Sequence, residues 1–221
     1  MAGLILFDID GTLVRRAGPH HRQALVDAIR HVTGVETTTE GIPVQGMLDP
    51  DILAQMMRTG GIDEEQIPSK MPAIIEAAQD IYLASVPDLR DKTCPGVVPL
   101  LDRLRGLGTV LALVTGNLTR IGWRKLERAG LHHYFRFGAF GEMAPTRSGL
   151  ARLAIDQARR EGFVEGTISL IGDATQDVLA ARENGIRAIS VRTGITPPED
   201  LEASAPDLLL DDLTQLDLSM I

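Results

Sequence analysis

The sequence predicts a doubly wound α/β fold, in which helices cover both faces of a parallel sheet. Short apolar runs recur along the chain, and stretches with helical periodicity lie between them. The runs are continuously apolar, whereas a strand with one face in water alternates apolar and polar residues. The 221 residues are enough for one large core, or for a core with a smaller inserted unit.

Six apolar runs are candidate strands, in the order Leu4–Phe7, Val110–Val114, Phe135–Phe140, Ile168–Ile171, Ala188–Val191 and Leu208–Leu210. Amphipathic spacing predicts helices over Val97–Leu107, Thr119–Ala129, Ser148–Arg160 and Gln176–Asn184. Gly130 and Gly185 directly follow two of these stretches. Glycine commonly ends a helix because it adopts the left-handed conformation easily.

The region from 15 to 90 interrupts this alternation. It contains no convincing strand, and helical patterns cover Arg22–His31, Pro50–Met57 and Met71–Leu83. We therefore predict a helical insert after the first strand, with a return to the core near Pro87–Pro95. The predicted division is an α/β core over residues 1–14 and 91–221 and a helical cap over residues 15–90.

Composition excludes several classes of protein. A net charge of -8 argues against a general nucleic-acid binder and against docking on anionic lipid. The single cysteine, Cys94, allows no disulfide within the chain, which favours a reducing, cytoplasmic location. The N-terminal apolar run is too short for a signal peptide, and no run approaches the length of a membrane span.

The first predicted strand ends in two carboxylates, Asp8 and Asp10. Side chains two residues apart on a strand point to the same face, so these groups repel each other unless a cation or a shared proton relieves them. Gly11 and Thr12 follow, and they allow a sharp turn that presents backbone N–H groups to an anion.

Other polar residues follow the neighbouring strands. Ligands bind beyond the carboxyl ends of the strands in a doubly wound sheet. The residues that reach this edge are Thr115, Gly116, Asn117, Arg147, Asp173 and Asp177. Carboxylates, a hydroxyl, glycine N–H groups and one cation are together suited to a metal ion and a phosphate.

In this order the motifs resemble those of the haloacid dehalogenase-like hydrolase superfamily, and the resemblance spans nearly the whole chain. The segment from Asp8 to Thr12 resembles the first motif, DxDGT, and Thr115-Gly116-Asn117 resembles the second. Arg147 resembles the third, and the segment from Gly172 to Asp177 resembles the fourth, GDxxxD. The resemblance implies a Rossmann-like core with a C1-type helical cap, as in phosphoglycolate phosphatases.

The resemblance also implies roles for these residues. Asp8 would be the nucleophile that takes the phosphoryl group, and Asp10 would be the general acid and base. Mg²⁺ would be held by the side chains of Asp8 and Asp173 and by the backbone carbonyl of Asp10. Asp177 would be an additional ligand or an outer partner. The expected phosphate-binding groups are Gly11, Thr12, Thr115, Gly116, Asn117 and Arg147.

The third motif departs from the commonest pattern, which uses lysine. The chain has only Lys70, Lys92 and Lys125. Lys125 follows Thr115 too soon, on the helix predicted to lie behind that strand. Arg147 is therefore the expected substitute, and arginine binds phosphate in bidentate fashion.

The expected function is Mg²⁺-dependent hydrolysis of a small phosphorylated metabolite by a monomer or homodimer that binds neither nucleic acid nor membrane. A phosphomutase of the β-phosphoglucomutase type would use the same motifs. A 2-haloacid dehalogenase would lack Asp10, and a non-catalytic partner-binding module would have no use for paired carboxylates.

Other interpretations stay open at single positions. Arg147 could be a solvated cation at a helix start, Asp177 could serve the helix dipole, and Asn117 could cap a helix. Arg15, Arg16, His20 and His21 either face the substrate or form an exposed basic linker. Gln45 to Asp49 resembles the segment that covers the site in related phosphatases, but Met47 stands where a basic residue is common.

Overall fold

The computed structural model describes residues 3–15, 18–163 and 166–218. One sheet contains six strands, Leu4–Phe7 (β1), Val110–Val114 (β2), Phe137–Ala139 (β3), Ile168–Gly172 (β4), Arg187–Val191 (β5) and Leu208–Leu210 (β6). They pair in parallel in the order β3-β2-β1-β4-β5-β6. The chain changes direction across the sheet between β1 and β4, where such folds bind ligands. The predicted doubly wound fold class is confirmed.

The helices are His20–Thr33 (α1), Asp49–Thr59 (α2), Ile67–Ser85 (α3), Val97–Gly106 (α4), Thr119–Ala129 (α5), Arg147–Arg160 (α6), Thr175–Glu183 (α7) and Pro198–Ala203 (α8). Short 3₁₀ turns lie at Glu64–Gln66, Arg90–Lys92, His132–Tyr134 and Leu213–Gln215. No helix among the described residues is long and apolar enough to cross a membrane.

Both faces of β1 are buried. Ile5 and Phe7 pack with residues of α4 and α5, whereas Leu4 and Leu6 pack with residues of α6 and α7. Each of these four side chains is at most 3% exposed. Helices on both faces therefore explain why the strand is continuously apolar rather than alternating.

The third strand is shorter than predicted, because the apolar run Phe135–Phe140 pairs only over Phe137–Ala139. Phe135 packs edge-on against Phe7, with ring centroids 5.9 Å apart. Phe140 packs against Trp123, with ring centroids 5.6 Å apart. Both ends of the run are thus apolar because they fill the core. In the sequence they cannot be distinguished from the residues of the strand itself.

Helices α1, α2 and α3 form a unit, which we call the helical insert, around an apolar cluster of their own. Leu118 and Ile121 from the start of α5 complete that cluster. The chain leaves and returns to the core side by side, because Arg15 N donates to Lys92 O at 2.8 Å and Cys94 N donates to Leu13 O at 3.0 Å. The division into a core over residues 1–14 and 91–221 and a cap over residues 15–90 stays a prediction.

Candidate active site

Four buried charged side chains meet at the edge of the sheet: Asp8 beyond β1, Arg147 at the start of α6, Asp173 beyond β4 and Asp177 in the first turn of α7. We call them the core cluster. Arg147 Nη1 lies 3.0 Å from Asp8 Oδ1 and 3.1 Å from Asp177 Oδ1. One oxygen from each of the three carboxylates lies within 4.8 Å of the other two. The cluster therefore has three carboxylates for one guanidinium, which contacts only Asp8 and Asp177.

The pKa values of the core cluster reflect this crowding. Burial, followed by repulsion from Asp8 and Asp177, raises the pKa of Asp173 well above its usual range. Burial likewise raises the pKa of Asp177 to about 7, against the opposing effect of Arg147. Burial lowers the pKa of Arg147, but Asp177 and Asp8 outweigh it, so this pKa is raised and the guanidinium stays charged.

The donor set of the core cluster fits Mg²⁺. Asp177 Oδ1 is buried and makes no hydrogen bond among the described residues, because its contact with Arg147 is close but poorly aligned. Asp177 Oδ2 accepts from Ala174 N at 3.1 Å, which fixes the side chain in the first turn of α7. Buried carboxylate oxygens that repel one another are the ligands that a hard divalent cation prefers. Asp8, Asp173 and Asp177 could hold such an ion.

A second cluster surrounds Asp10 and includes residues of the insert. Lys125 Nζ donates to Asp10 Oδ1 at 2.8 Å, to Asp10 Oδ2 at 2.6 Å and to Asn117 Oδ1 at 2.6 Å. The same Nζ lies 3.1 Å from His21 Nδ1, and His21 Nε2 lies 2.9 Å from Asp49 Oδ2. We call Asp10, His21, Asp49, Asn117 and Lys125 the bridging cluster, since it joins the core to the insert.

Lys125 lies on the helix after β2, as predicted, but it was not among the predicted site residues. Its side chain is only 1% exposed and reaches the sheet edge from α5. One sequence signal could have found it, because Lys125 lies on the buried face of α5 with Ile121, Leu126 and Ala129. A lone lysine on an apolar helix face must find a partner, and an unpaired one is costly.

The surroundings of Asp10 favour its ionised form. Burial alone would raise the pKa of Asp10. The ammonium of Lys125 and the ring of His21 outweigh this effect, so the pKa is lowered overall. The side chain of Asp10 nevertheless stays 44% exposed. Asp10 is thus a carboxylate that is accessible from the cavity.

Asn117 holds its neighbours in place. Its Nδ2 donates to Asp10 Oδ2 at 2.8 Å and to Thr115 Oγ1 at 2.7 Å, while its Oδ1 accepts from Lys125. Because the Thr115 hydroxyl oxygen accepts this bond, its O–H remains free to donate to a ligand. The Asn117 side chain does not cap α5, whose N-cap residue is Leu118.

A cavity of about 530 Å³ lies between the core and the insert. Among the predicted site residues its lining includes Asp8, Asp10, Gly11, Thr115, Gly116, Asn117, Arg147 and Asp173. Thr12 is fully buried, and its hydroxyl lies 3.5 Å from Asp173 Oδ1. The insert adds apolar Leu25, Val44, Met47 and Ile52 to the lining, and Arg15 and Arg22 lie at its exposed part. Arg16 lies outside the described residues.

Two glycines allow close approach at this edge. Gly11 has φ 84°, and a Cβ on it would collide with the Asp173 carboxylate. A Cβ on Gly116 would overlap the carbonyl oxygen of Met47 in the insert. Nearby, Asp49 N donates to Gly116 O at 2.8 Å. The insert therefore rests on the turn after β2 through a backbone contact.

Known proteins are similar to this chain in sequence. A family model of HAD-hydrolase-like proteins matches residues 147–216. The chain is 27% identical over 219 residues to phosphoglycolate phosphatase 1 of Pseudomonas aeruginosa, covering 96% of this chain and 78% of that protein. It is 28% identical over 238 residues to glyceraldehyde 3-phosphate phosphatase of Methanopyrus kandleri, covering 98% and 99%.

The fold is also found among solved structures. CbbY of Rhodobacter sphaeroides, in complex with phosphate, superposes with a TM-score of 0.72 at 22% identity, covering 100% of this chain and 99% of that one. At this identity the similarity concerns the fold alone. The family match, the curated relatives and the ordered motifs agree, and they make the chain similar to haloacid dehalogenase-like hydrolases.

Proposed function

We propose that the protein is a Mg²⁺-dependent phosphatase that hydrolyses a small phosphate monoester through an aspartyl-phosphate on Asp8. The observation that carries the proposal is the core cluster: Asp8 lies beside Arg147 and two further carboxylates, and Asp8, Arg147 and Asp173 line the cavity. The relatives named as phosphatases support the reaction class. The metal and the covalent intermediate are inferred from the chemistry of the residues.

In the first step an oxygen of Asp8 attacks phosphorus, and the bond from phosphorus to the leaving oxygen breaks. Asp10 gives a proton to that oxygen, so that an alcohol departs. The free O–H of Thr115 and the guanidinium of Arg147 donate to the phosphoryl oxygens. Mg²⁺, when bound, supplies positive charge that offsets the carboxylates and the phosphoryl group.

In the second step water attacks the phosphorus of the aspartyl-phosphate, which releases phosphate and restores Asp8. Asp10 now takes a proton from the water. Lys125 favours the carboxylate form of Asp10, which is the form that this step requires. For the first step Asp10 must gain a proton when the substrate is bound, against the pull of Lys125.

We propose that the helical insert is the cap of this site, over the predicted residues 15–90. It closes one side of the cavity and contributes Leu25, Val44, Met47 and Ile52. A covered site limits attack by water while the aspartyl-phosphate forms. The named substrates of the two relatives differ, so we propose only the class, a small phosphorylated metabolite. The single cysteine favours a cytoplasmic location.

The test is phosphate release from a panel of phosphorylated metabolites with Mg²⁺, by the wild type and by Asp8→Asn. We expect turnover by the wild type, a loss in the variant of at least about 10⁴-fold, and a chelator to abolish turnover in the wild type. Full activity of Asp8→Asn would disprove the mechanism.

A second arm separates the phosphomutase. Glucose 1-phosphate is incubated with the enzyme, with and without a sugar bisphosphate. Isomerisation that depends on the bisphosphate and exceeds phosphate release would favour the mutase. We expect phosphate release to dominate.

A further inference from the structure

We propose that Lys125 is a positioning residue, which fixes the carboxylate of Asp10 for proton transfer, and that His21 and Asp49 of the insert brace Lys125. The proposal rests on the proposed function, because it takes Asp10 to be the group that moves the proton. It adds a residue outside the four motifs and a physical link from the insert to the chemistry.

The contacts of Lys125 are directed at Asp10. Its ammonium has three N–H donors: one shared between the two Asp10 oxygens leaves one for Asn117 Oδ1 and one for His21 Nδ1. With the side chain 1% exposed, none of this charge is in water. Asp10 is 44% exposed, and Lys125 and Asn117 together hold both of its oxygens. The carboxylate that faces the cavity is therefore oriented from the protein side.

Helix packing alone gives no reason for a lysine here. Position 125 lies on the buried face of α5, where an apolar side chain would fill the same space. Replacing a buried ion pair by apolar groups is often neutral or stabilising. What the lysine adds is a fixed direction for the Asp10 carboxylate, and that is a property of the site.

The insert supports Lys125 by two contacts. His21 of α1 lies between Lys125 and Asp49, and its ring packs edge-on against Tyr82 of α3 with centroids 5.8 Å apart. Asp49 Oδ2 also accepts from Leu118 N at 2.8 Å, directly before the helix that carries Lys125. A displacement of the insert would therefore remove the contacts that support Lys125, and the Asp10 carboxylate would lose its fixed orientation.

The expected consequence depends on the leaving group. An alkoxide or phenolate needs a proton as it departs, whereas 4-nitrophenolate is a weaker base and needs it less. Positioned proton transfer contributes about 10²-fold to 10⁴-fold in rate. Loss of Lys125 should thus lower kcat/KM much more for basic leaving groups, while a structural defect would lower kcat/KM for all substrates alike.

The experiment measures kcat/KM with Mg²⁺ for phenyl phosphate and 4-nitrophenyl phosphate. The variants are Lys125→Met and His21→Phe, and the control is Lys92→Met, an exposed lysine that pairs with Asp91. We expect Lys125→Met to lose about 10²-fold on phenyl phosphate and less than about 10-fold on 4-nitrophenyl phosphate. His21→Phe should change the ratio in the same direction by a smaller factor, and Lys92→Met should match the wild type.

Equal losses on the two substrates in Lys125→Met would overturn the proposal while leaving the phosphatase assignment intact. If Lys125→Met fails to fold, His21→Phe supplies the test, because His21 is half-buried and this variant keeps the lysine. If a folded His21→Phe protein has the wild-type ratio of kcat/KM on the two substrates, the link to the insert is overturned. A wild type that hydrolyses neither substrate overturns the proposed function itself, and this inference with it.

Discussion

Asp8 and Asp10 are two residues apart, yet their carboxylates belong to clusters of different charge and origin. The core cluster has three carboxylates and one guanidinium, all from the α/β core. The bridging cluster pairs Asp10 and Asp49 with the ammonium of Lys125 and the ring of His21, and two of these residues come from the insert. The first cluster has three carboxylates for one guanidinium and could take a cation from solution, whereas the second sets one ammonium and one imidazole against two carboxylates.

This difference assigns separate sensitivities to the two clusters. Changes in the core cluster should affect metal binding and attack on phosphorus, whether or not the insert is in place. Changes in the bridging cluster should affect proton transfer and should leave metal binding alone. The predictions below test that separation, from the largest expected effect to the smallest.

Among the tests of this separation, the largest effect is expected for Asp173→Asn. It removes one charge from the oxygen set that would hold Mg²⁺, and metal stabilisation of the transition state is worth several kcal/mol, or about 10³-fold in rate. Phosphate release over a Mg²⁺ titration measures both the rate and the apparent affinity. Asp63→Asn, an exposed acid of the insert, is the control. A wild-type Mg²⁺ dependence in Asp173→Asn would remove this residue from the metal site.

Arg147→Ala should lower the rate by at least about 10²-fold, because it removes a charge that pairs with Asp8 and donates to the phosphoryl group. Arg147→Lys should recover part of this loss, since it keeps the charge without the fork of donors. Single-turnover kinetics report the attack on phosphorus directly. A near-wild-type rate in Arg147→Ala would mean that the guanidinium serves only to neutralise Asp177.

Asp49→Asn should lower the rate on an alkyl phosphate by about 10-fold, within the cost of about 1–3 kcal/mol for a weakened buried hydrogen bond to a charged group. Its Mg²⁺ affinity should equal that of the wild type, because Asp49 belongs to the bridging cluster. Mg²⁺ titration of both proteins in one assay checks this. A loss of affinity as large as that of Asp173→Asn would show that the clusters are not separate.

The smallest effect concerns stability and pH. The pKa of Asp173 is raised and that of Asp177 is raised to about 7, so the folded protein binds these protons more tightly than the unfolded chain. Without metal, their contribution to stability is therefore present at acidic pH and lost as the pH rises through about 7. Mg²⁺ should raise the Tm by a few °C more at about pH 8 than at about pH 5. Thermal unfolding with and without Mg²⁺ measures this, and an equal rise at both pH values would contradict it.

Much of the core could be predicted from the sequence because burial on both faces leaves a local signal. The apolar run at Ile168–Ile171 and the glycine at the end of α5 required no knowledge of distant residues. The third strand was overestimated because Phe135 and Phe140 are apolar for reasons of packing.

The site divides in the same way. Asp8, Asp10 and Asp173 could be proposed from strand ends, because parallel strands bring their carboxyl ends to one edge. The pairing of Lys125 with Asp10 joins positions 115 residues apart, and the contact of His21 with Asp49 depends on how α1 and α2 pack. Contacts of this kind follow from tertiary packing and leave no periodic signal in the chain.

The meeting of the insert with Gly116 has a consequence for how specificity can be altered. The distance between the two units is set there by a contact of main-chain atoms, from Asp49 N to Gly116 O. We expect that substitutions at Val44, Met47 and Ile52, which line the cavity, can change its size or polarity while this main-chain contact is kept. Specificity can therefore be varied through these three lining residues, with residue 116 kept as glycine so that the spacing of the insert and the core is preserved.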